Sequence, residues 1–185
     1  SQEEIGEAVE AAKSMGNDQI VLLKCTSTYP APPDATHISA IPTLADRFGV
    51  MAGLSDHTHG IGVAVASVAF GARVIEKHFT LRRADGGVDS AFSLEPAELK
   101  ALVEETDRAW RAIGTPELGM RPVEKASSAY RRSLYIVRDV QPGDTLTPQN
   151  LRSIRPGYGL KPKHYEALIG RTVTQAAEAG TPVTW

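Results

Sequence analysis

The stretch "GVMAGLSDHTHGIGVAVASVAFGARVIEKHF", residues 49–79, holds two short apolar runs separated by a segment of small apolar residues. "GVMAGLS" reads as a strand, bounded by the polar cluster Ser55, Asp56, His57. "GIGVAVASVAFG" reads as a helix whose small side chains suit close packing on a sheet. "ARVIEKHFTL", residues 72–81, reads as the next strand. Strand, helix and strand in about 30 residues make a parallel β/α unit.

The same alternation extends outward on both sides. Ser1 and Glu4 form a capping-box pattern, and Ile5, Ala8, Val9 and Ala12 follow at helical spacing, which predicts a helix over residues 1–15. "QIVLLKCTS", residues 19–27, is a continuous apolar run of the kind found in strands buried on both faces. A Pro-rich loop, "TYPAPPDATH", leads to a helical stripe of Ile38, Ile41, Leu44, Ala45 and Phe48, interrupted by Pro42. Beyond residue 81, Ser93 reads as the cap of a helix with Pro96 in its first turn, and Leu99, Leu102, Val103, Trp110 and Ile113 as its buried face. A helix followed by three β/α units over residues 1–114 suits part of a (β/α)8 barrel or of a doubly wound sheet. Three strands cannot close a barrel, which takes about 250 residues. A partial barrel is expected to leave sheet edges and apolar faces open. With a helix already opening at Ser1 and no initiator Met, the chain reads as cut from something longer.

Residues 115–128, "TPELGMRPVEKASS", have the texture of a linker. Residues 129–185 change to short strand-like runs with regular turns: "RRSLYIVRDV" before "QPGD", "TLTPQNLRSI" before "RPGYG", one helical turn at "HYEALIG" and a last strand at "TPVTW". This predicts a compact all-β module that is small for independent stability. A net charge of −2 gives no reason to expect nucleic acid or an anionic membrane as partner. No apolar run is long enough to span a bilayer. The single cysteine, Cys25, rules out an intrachain disulfide and fits a reducing, cytoplasmic setting.

Polar residues collect at the C-terminal ends of all three strands, where parallel β/α architectures assemble their sites. Thr26, Ser27, Thr28 and Tyr29 follow the first, Ser55, Asp56 and His57 the second, and Glu76, Lys77 and His78 the third. His57 and His78 lie 21 residues apart, one helix-and-strand step, so adjacent strands would present both imidazoles at one rim. Either histidine alone reads as a loop residue. Together, beside carboxylates, they read as an open site for a divalent metal. His59 reads as surface, and His37 and His164 have no such context. Asp89 could fold back over the rim as an acid or base, or be a turn aspartate, and spacing does not choose between them. Glu76 within a strand would need a partner if buried. Arg155 stands on a Pro-Gly turn, where a surface charge is the ordinary reading.

Five motifs in order, "LLKCTSTYPAP", "GLSDHT", "VIEKHFTL", "DSAFSLEP" and "SIRPGYGLKPK", resemble the sialic acid synthase family along the whole chain. "DGGVDSAFSLEP" and the C-terminal segment are most similar to its pseudaminic acid synthase branch. The resemblance implies the last three strands of a (β/α)8 TIM barrel, a linker, and a small all-β SAF (antifreeze-like) β-clip domain. It implies condensation of phosphoenolpyruvate with the open-chain aldehyde of an N-acetylated amino sugar, by attack of C3 on the aldehyde carbon, addition of water at C2 and loss of phosphate. For the pseudaminic branch the sugar is 2,4-diacetamido-2,4,6-trideoxy-altrose; N-acetylneuraminate and legionaminate synthases are the near alternatives.

His57 and His78 match the pair that holds Mn2+ or Mg2+. Ser55 and Ser27 match phosphate contacts, and Tyr29 falls beside the sugar. Glu76 and Asp89 match carboxylates near the reacting centre. Arg155 matches an arginine that reaches the partner barrel in a domain-swapped homodimer, which displaces its surface-charge reading. The lysines that grip phosphoenolpyruvate fall on strands absent here, so this chain alone is expected to bind metal weakly and show no turnover. The reading from another class is a non-catalytic SAF binding module. It predicts loss of the histidine pair and Asp89, and both are present.

Overall fold

The computed structural model describes residues 1–185, which fall into two units, Ser1–Pro116 and Glu117–Trp185. The first opens with helix α1 (Gln2–Ser14). The Ser1 hydroxyl accepts from the Glu4 N–H at 3.3 Å, and the Glu4 side chain returns to the N-terminal amine, closing a capping box. Strands β1 (Val21–Cys25), β2 (Met51–Asp56) and β3 (Ile75–Lys77) form a parallel sheet in the order β1-β2-β3. Helices α2 (Ile41–Phe48) and α3 (Gly62–Ala69) make the two crossovers, and α4 (Pro96–Ile113) follows β3. The core gathers Ile41, Ala52, Leu54, Ala64, Leu94 and Leu102.

The sheet does not close, and this explains where the sequence reading errs. β1 is an edge strand and is half exposed rather than buried on both faces; only the central β2 is buried from Ala52 onward. Pro42 does not interrupt α2. It occupies the first turn, where no intrahelical partner for its missing N–H exists. β3 is much shorter than "ARVIEKHFTL", because the chain after Lys77 pairs with "FSL" instead, through a bridge from Phe79 to Leu94. Ser93 is not the cap of α4. Glu95 is, in a capping box with Glu98. Of the stripe expected to be buried on α4, Leu102 is buried, whereas Val103, Trp110 and Ile113 are exposed, since α4 packs on one side only; the Arg73 guanidinium lies 4.8 Å over the Trp110 ring.

Gly53 permits the closest approach in the sheet. A Cβ there would sit 2.2 Å from the Val74 carbonyl, which accepts the Leu54 N–H at 2.9 Å. On the face of the sheet turned to the helices, the Lys77 ammonium donates to Asp56 at 2.8 Å and to the Thr58 carbonyl at 2.6 Å. Both side chains are essentially excluded from solvent. The other Asp56 oxygen accepts the Thr58 N–H at 2.9 Å, so the pair is fully hydrogen-bonded.

The second unit is built on an antiparallel pair, β4 (Ser133–Ile136) and β5 (Leu151–Ile154). Single bridges, Tyr135 to Pro182, Val140 to Ala177 and Thr145 to Thr172, replace the longer strands expected at "TLTPQNLRSI" and "TPVTW". A one-turn helix, α5 (Tyr165–Leu168), closes over a core of Leu134, Ile136, Val140, Leu146, Leu151 and Leu168. No helix of the chain is long and apolar enough to cross a membrane.

Two neighbouring buried polar groups should respond oppositely to substitution. Lys77→Met leaves Asp56 charged and unpaired, and should cost about 3–5 kcal/mol. Thr58→Val removes a buried hydroxyl that has no hydrogen-bond partner, and should be neutral or stabilise by about 1 kcal/mol. Native-state hydrogen exchange of the β2 and β3 amides, which reports on this unit alone, measures both.

Candidate functional site

The pairing of β2 with β3 sets the site. Ser55 lies opposite Glu76 and Asp56 opposite Lys77, and His57 and His78 are the first residues past these two strand ends. Side chains alternate across a strand. Asp56 and Lys77 therefore face the helices, while Ser55, Glu76, His57 and His78 share the other face. The two imidazole centroids are 5.2 Å apart with their planes at 69°. His57 is buried; the His78 side chain is one-third exposed.

One hydrogen bond orients His57. Its Nδ1 lies 3.0 Å from the Thr26 carbonyl oxygen at the end of β1. A carbonyl only accepts, so Nδ1 carries the proton and Nε2 of the neutral ring keeps its lone pair. Backbone carbonyls fix metal-ligating histidines in this way. The Cys25 thiol is a looser neighbour, at 3.9 Å from the same nitrogen and 3.7 Å from the Ser27 hydroxyl.

Aromatic rings wall the histidines. Tyr29, half exposed, stacks at 4.3 Å from His57, and Phe92, buried, lies 5.0 Å from His78. Phe92 also approaches Tyr29, at 6.1 Å. Asp89 reaches the site from the loop after β3, its carboxylate 3.9 Å from His78 Nδ1. It does so with a left-handed backbone, φ 65°, a conformation that few residue types other than glycine and Asn or Asp tolerate.

The structure thus gathers Tyr29, His57, His78 and Asp89 at one end of the sheet. Ser55 and Glu76 are bonded to each other one rung below, the Ser55 hydroxyl donating at 2.6 Å. Glu76 is exposed, and its carboxylate still has a partner in Ser55. Ser27 lies exposed beside Cys25. His59 is exposed in the turn before α3, and His164 packs on Trp185 in the second unit. Arg155 follows β5 in that unit and is exposed. Two contributors escaped the sequence reading. Phe92 stood inside a quoted motif without a role, and only its contact with His78 gives it one. Thr26 acts through its backbone carbonyl, which no side-chain pattern reveals.

No three His, Cys, Asp or Glu side chains converge in an arrangement that could hold a metal ion. Two imidazoles, one with Nε2 left available by its backbone bond, do fit an open site whose remaining positions are filled by oxygens of water or substrate. A cleft of about 890 Å3 lies at the other end of the strands, lined by Gln19, Ile20, Met51 and Arg73. It contains none of these residues.

Residues 1–117 match the NeuB family, and residues 131–185 match the SAF domain. A pseudaminic acid synthase of Campylobacter jejuni is 38% identical over 180 residues, covering 97% of this chain and 52% of that protein. An N,N'-diacetyllegionaminic acid synthase of the same organism is 37% identical over 175 residues, covering 93% of this chain and 52% of that protein. Among solved structures, an N-acetylneuraminic acid (sialic acid) synthetase of Leptospira borgpetersenii in complex with citrate superposes with a TM-score of 0.62 at 38% identity, over 69% of this chain and 44% of that one. The chain therefore spans about half the length of the curated relatives it matches.

The orienting bond makes a direct prediction. A long-range 1H–15N correlation spectrum of the chain at neutral pH should show neutral His57 as the Nδ1–H tautomer. An Nε2–H pattern would remove the lone pair from the face the site needs.

Proposed function

The chain belongs to the NeuB family, and we propose that the protein is a nonulosonic acid synthase, joining phosphoenolpyruvate to the aldehyde of an N-acetylated amino sugar with release of phosphate. Within that chemistry the proposed product is pseudaminic acid, from 2,4-diacetamido-2,4,6-trideoxy-altrose. The observation that carries the reading is the juxtaposition of His57 and His78 in a chain of this family. The second reading, supported by a nearly equal likeness to a legionaminic acid synthase, is the same reaction on a different diacetamido sugar.

His57 and His78 would hold Mn2+ or Mg2+, which supplies Lewis-acid polarisation of the aldehyde oxygen. The chain's other residues bind and orient. The Ser55 hydroxyl, at the strand end, takes a phosphate oxygen as acceptor in place of Glu76 and leaves that carboxylate to a sugar hydroxyl. Ser27 adds a second hydroxyl for the phosphate. Tyr29 and Phe92 supply apolar walls that keep water from the reacting carbons, and the Tyr29 hydroxyl is placed for the sugar. Asp89 accepts a hydrogen bond from the sugar beside His78 and serves as the acid or base nearest the reacting centre. Arg155 brings a fixed positive charge from the SAF unit of a partner copy in a homodimer. A phosphoenolpyruvate-consuming step places the work in the cytoplasm.

Turnover of the full-length protein on candidate sugars tests this. The altrose derivative should be used in preference to N-acetylmannosamine, and the reverse preference sinks the pseudaminic assignment. His57→Ala and His78→Ala should each lower activity by more than about 100-fold, since even the groups that orient metal-ligating histidines are worth about 10–100-fold. Unchanged turnover in excess Mn2+ would defeat the metal roles.

A further inference from the structure

We propose that Arg83 is a positioning residue: it clamps the loop between β3 and α4 so that Asp89 is held against His78. The inference rests on the reading of His78 and Asp89 as site residues and adds a residue to which nothing above assigns a role.

The loop leaves β3 and returns alongside it. The Leu94 N–H donates to the His78 carbonyl at 2.8 Å and the Thr80 N–H to the Leu94 carbonyl at 2.9 Å, which brings the two ends of the loop together. Arg83 lies between them and makes four hydrogen bonds to three residues. Its backbone N–H donates to Glu95 Oε1 at 2.8 Å. Its guanidinium donates from Nη1 to the Ser93 carbonyl at 3.0 Å and to Glu98 Oε2, and from Nη2 to Glu98 Oε1 at 3.1 Å. Both carboxylates are fixed in turn by the capping box of α4, in which the Glu95 N–H donates to Glu98 at 2.8 Å. The clamp therefore ends on a helix, not on a mobile side chain.

From Ser93 the contacts run to the site. The Ser93 hydroxyl, buried, donates to the Asp89 carbonyl at 2.8 Å. Asp89 sits in its left-handed conformation at the cap position just before the short 3-10 turn Ser90–Phe92, with the Ser90 N–H donating to the Gly87 carbonyl at 3.3 Å. Such a backbone persists only where surrounding contacts over-determine it. The Asp89 carboxylate itself has one ionisable side chain within 4 Å, the His78 imidazole at 3.9 Å. Its placement thus comes from the loop. The other ion pair of the loop, Arg82 with Asp85, is exposed and spans only three residues, so it does not tie the loop to anything else.

Arg83 is suited to this by its fork. Two parallel N–H bonds to one carboxylate, with a third donor left for a carbonyl, is an arrangement a lysine cannot reproduce. Removing it would also leave Glu95 and Glu98 as like charges at the start of one helix with no cation between them. The bond from Arg83 holds the Glu98 carboxyl below the ordinary glutamate range, and the same bond raises Arg83. With the folded value depressed, the clamp is fully present above the ordinary glutamate range and is lost as pH falls through the folded value.

The test uses two readouts. In NMR of this chain, Arg83→Met should shift the Asp89 Cα resonance and HN–Hα coupling away from left-handed values. It should also speed exchange of the Asp89–Ser93 amides by about 10-fold or more, the worth of one charge-assisted hydrogen bond. Leu54 exchange in the sheet should be unchanged. Arg83→Lys, a milder change that keeps the charge should Arg83→Met fail to fold, should show the same Asp89 signature. In the full-length protein, Arg83→Met and Asp89→Asn should each lower kcat, and the double variant should be no worse than Asp89→Asn, whereas a merely structural loss would add to it. Additive losses, or a left-handed Asp89 signature that survives both Arg83 substitutions, overturn the proposal. Absence of any turnover in the unaltered full-length protein would defeat the proposed function, and the two loop readouts would still decide on Arg83.

Discussion

The buried pair of Lys77 with Asp56 is the constraint on which the geometry of the first unit depends. Two solvent-excluded charges in contact are weak evidence of net stability, because desolvation offsets much of their attraction. They are strong evidence of register. Sliding β3 by one residue along β2 would set Lys77 opposite a residue of the other face, with Asp56 charged and unpaired among apolar side chains. That alternative costs several kcal/mol, and it flips every side chain of a strand only three residues long. With so short a strand, the backbone ladder alone has little power to choose. The ion pair and the Gly53 contact with the Val74 carbonyl choose for it.

The face opposite the ion pair inherits its order. Once Asp56 meets Lys77, Ser55 pairs with Glu76 one rung below, and His57 and His78 leave the two strand ends side by side. The two pairs differ in kind. Ser55 and Glu76 satisfy each other, so that rung is quiet until a better acceptor or donor arrives. His57 and His78 have no bond between them, and the one nitrogen of His57 that is committed is committed to backbone. Structural need is met on one side of the sheet, and chemical capacity is left over on the other.

Much of this was legible in the sequence because it depends on alternation and spacing. Period-2 alternation puts Asp56 and His57 on opposite faces, and a step of one β/α unit puts His57 and His78 on adjacent strands. What was not legible depends on backbone atoms and on how far a stripe is covered. The Thr26 carbonyl that orients His57 carries no residue signature. Ser93 looked like a cap because Ser is a good one, yet the capping box of Glu95 with Glu98 competes better, since Glu98 also holds Arg83. Trp110 and Val103 fit the helical period of a buried face and are exposed, because periodicity states which residues share a side and not whether anything lies against it. Strand lengths were overestimated at β3 for a related reason. An apolar run continues through Phe79 and Leu81, but its pairing partner changes from β2 to the loop at Leu94.

The two ways of placing a side chain in this site carry different tolerances. His57 and His78 each stand one residue past a strand, so the sheet fixes the backbone that leads directly into them. Asp89 is placed by a loop whose course hangs on a few side-chain bonds, within itself and to Glu98 of α4, and on one strained backbone conformation. Groups whose mutual geometry must stay within tenths of an ångström are well served by strand ends. A group that meets a variable substrate gains from a segment whose length and composition can change without disturbing the sheet. The division at His78, where β3 gives way to its following loop, is therefore also a division between side chains held at strand ends and a side chain held by a segment free to vary.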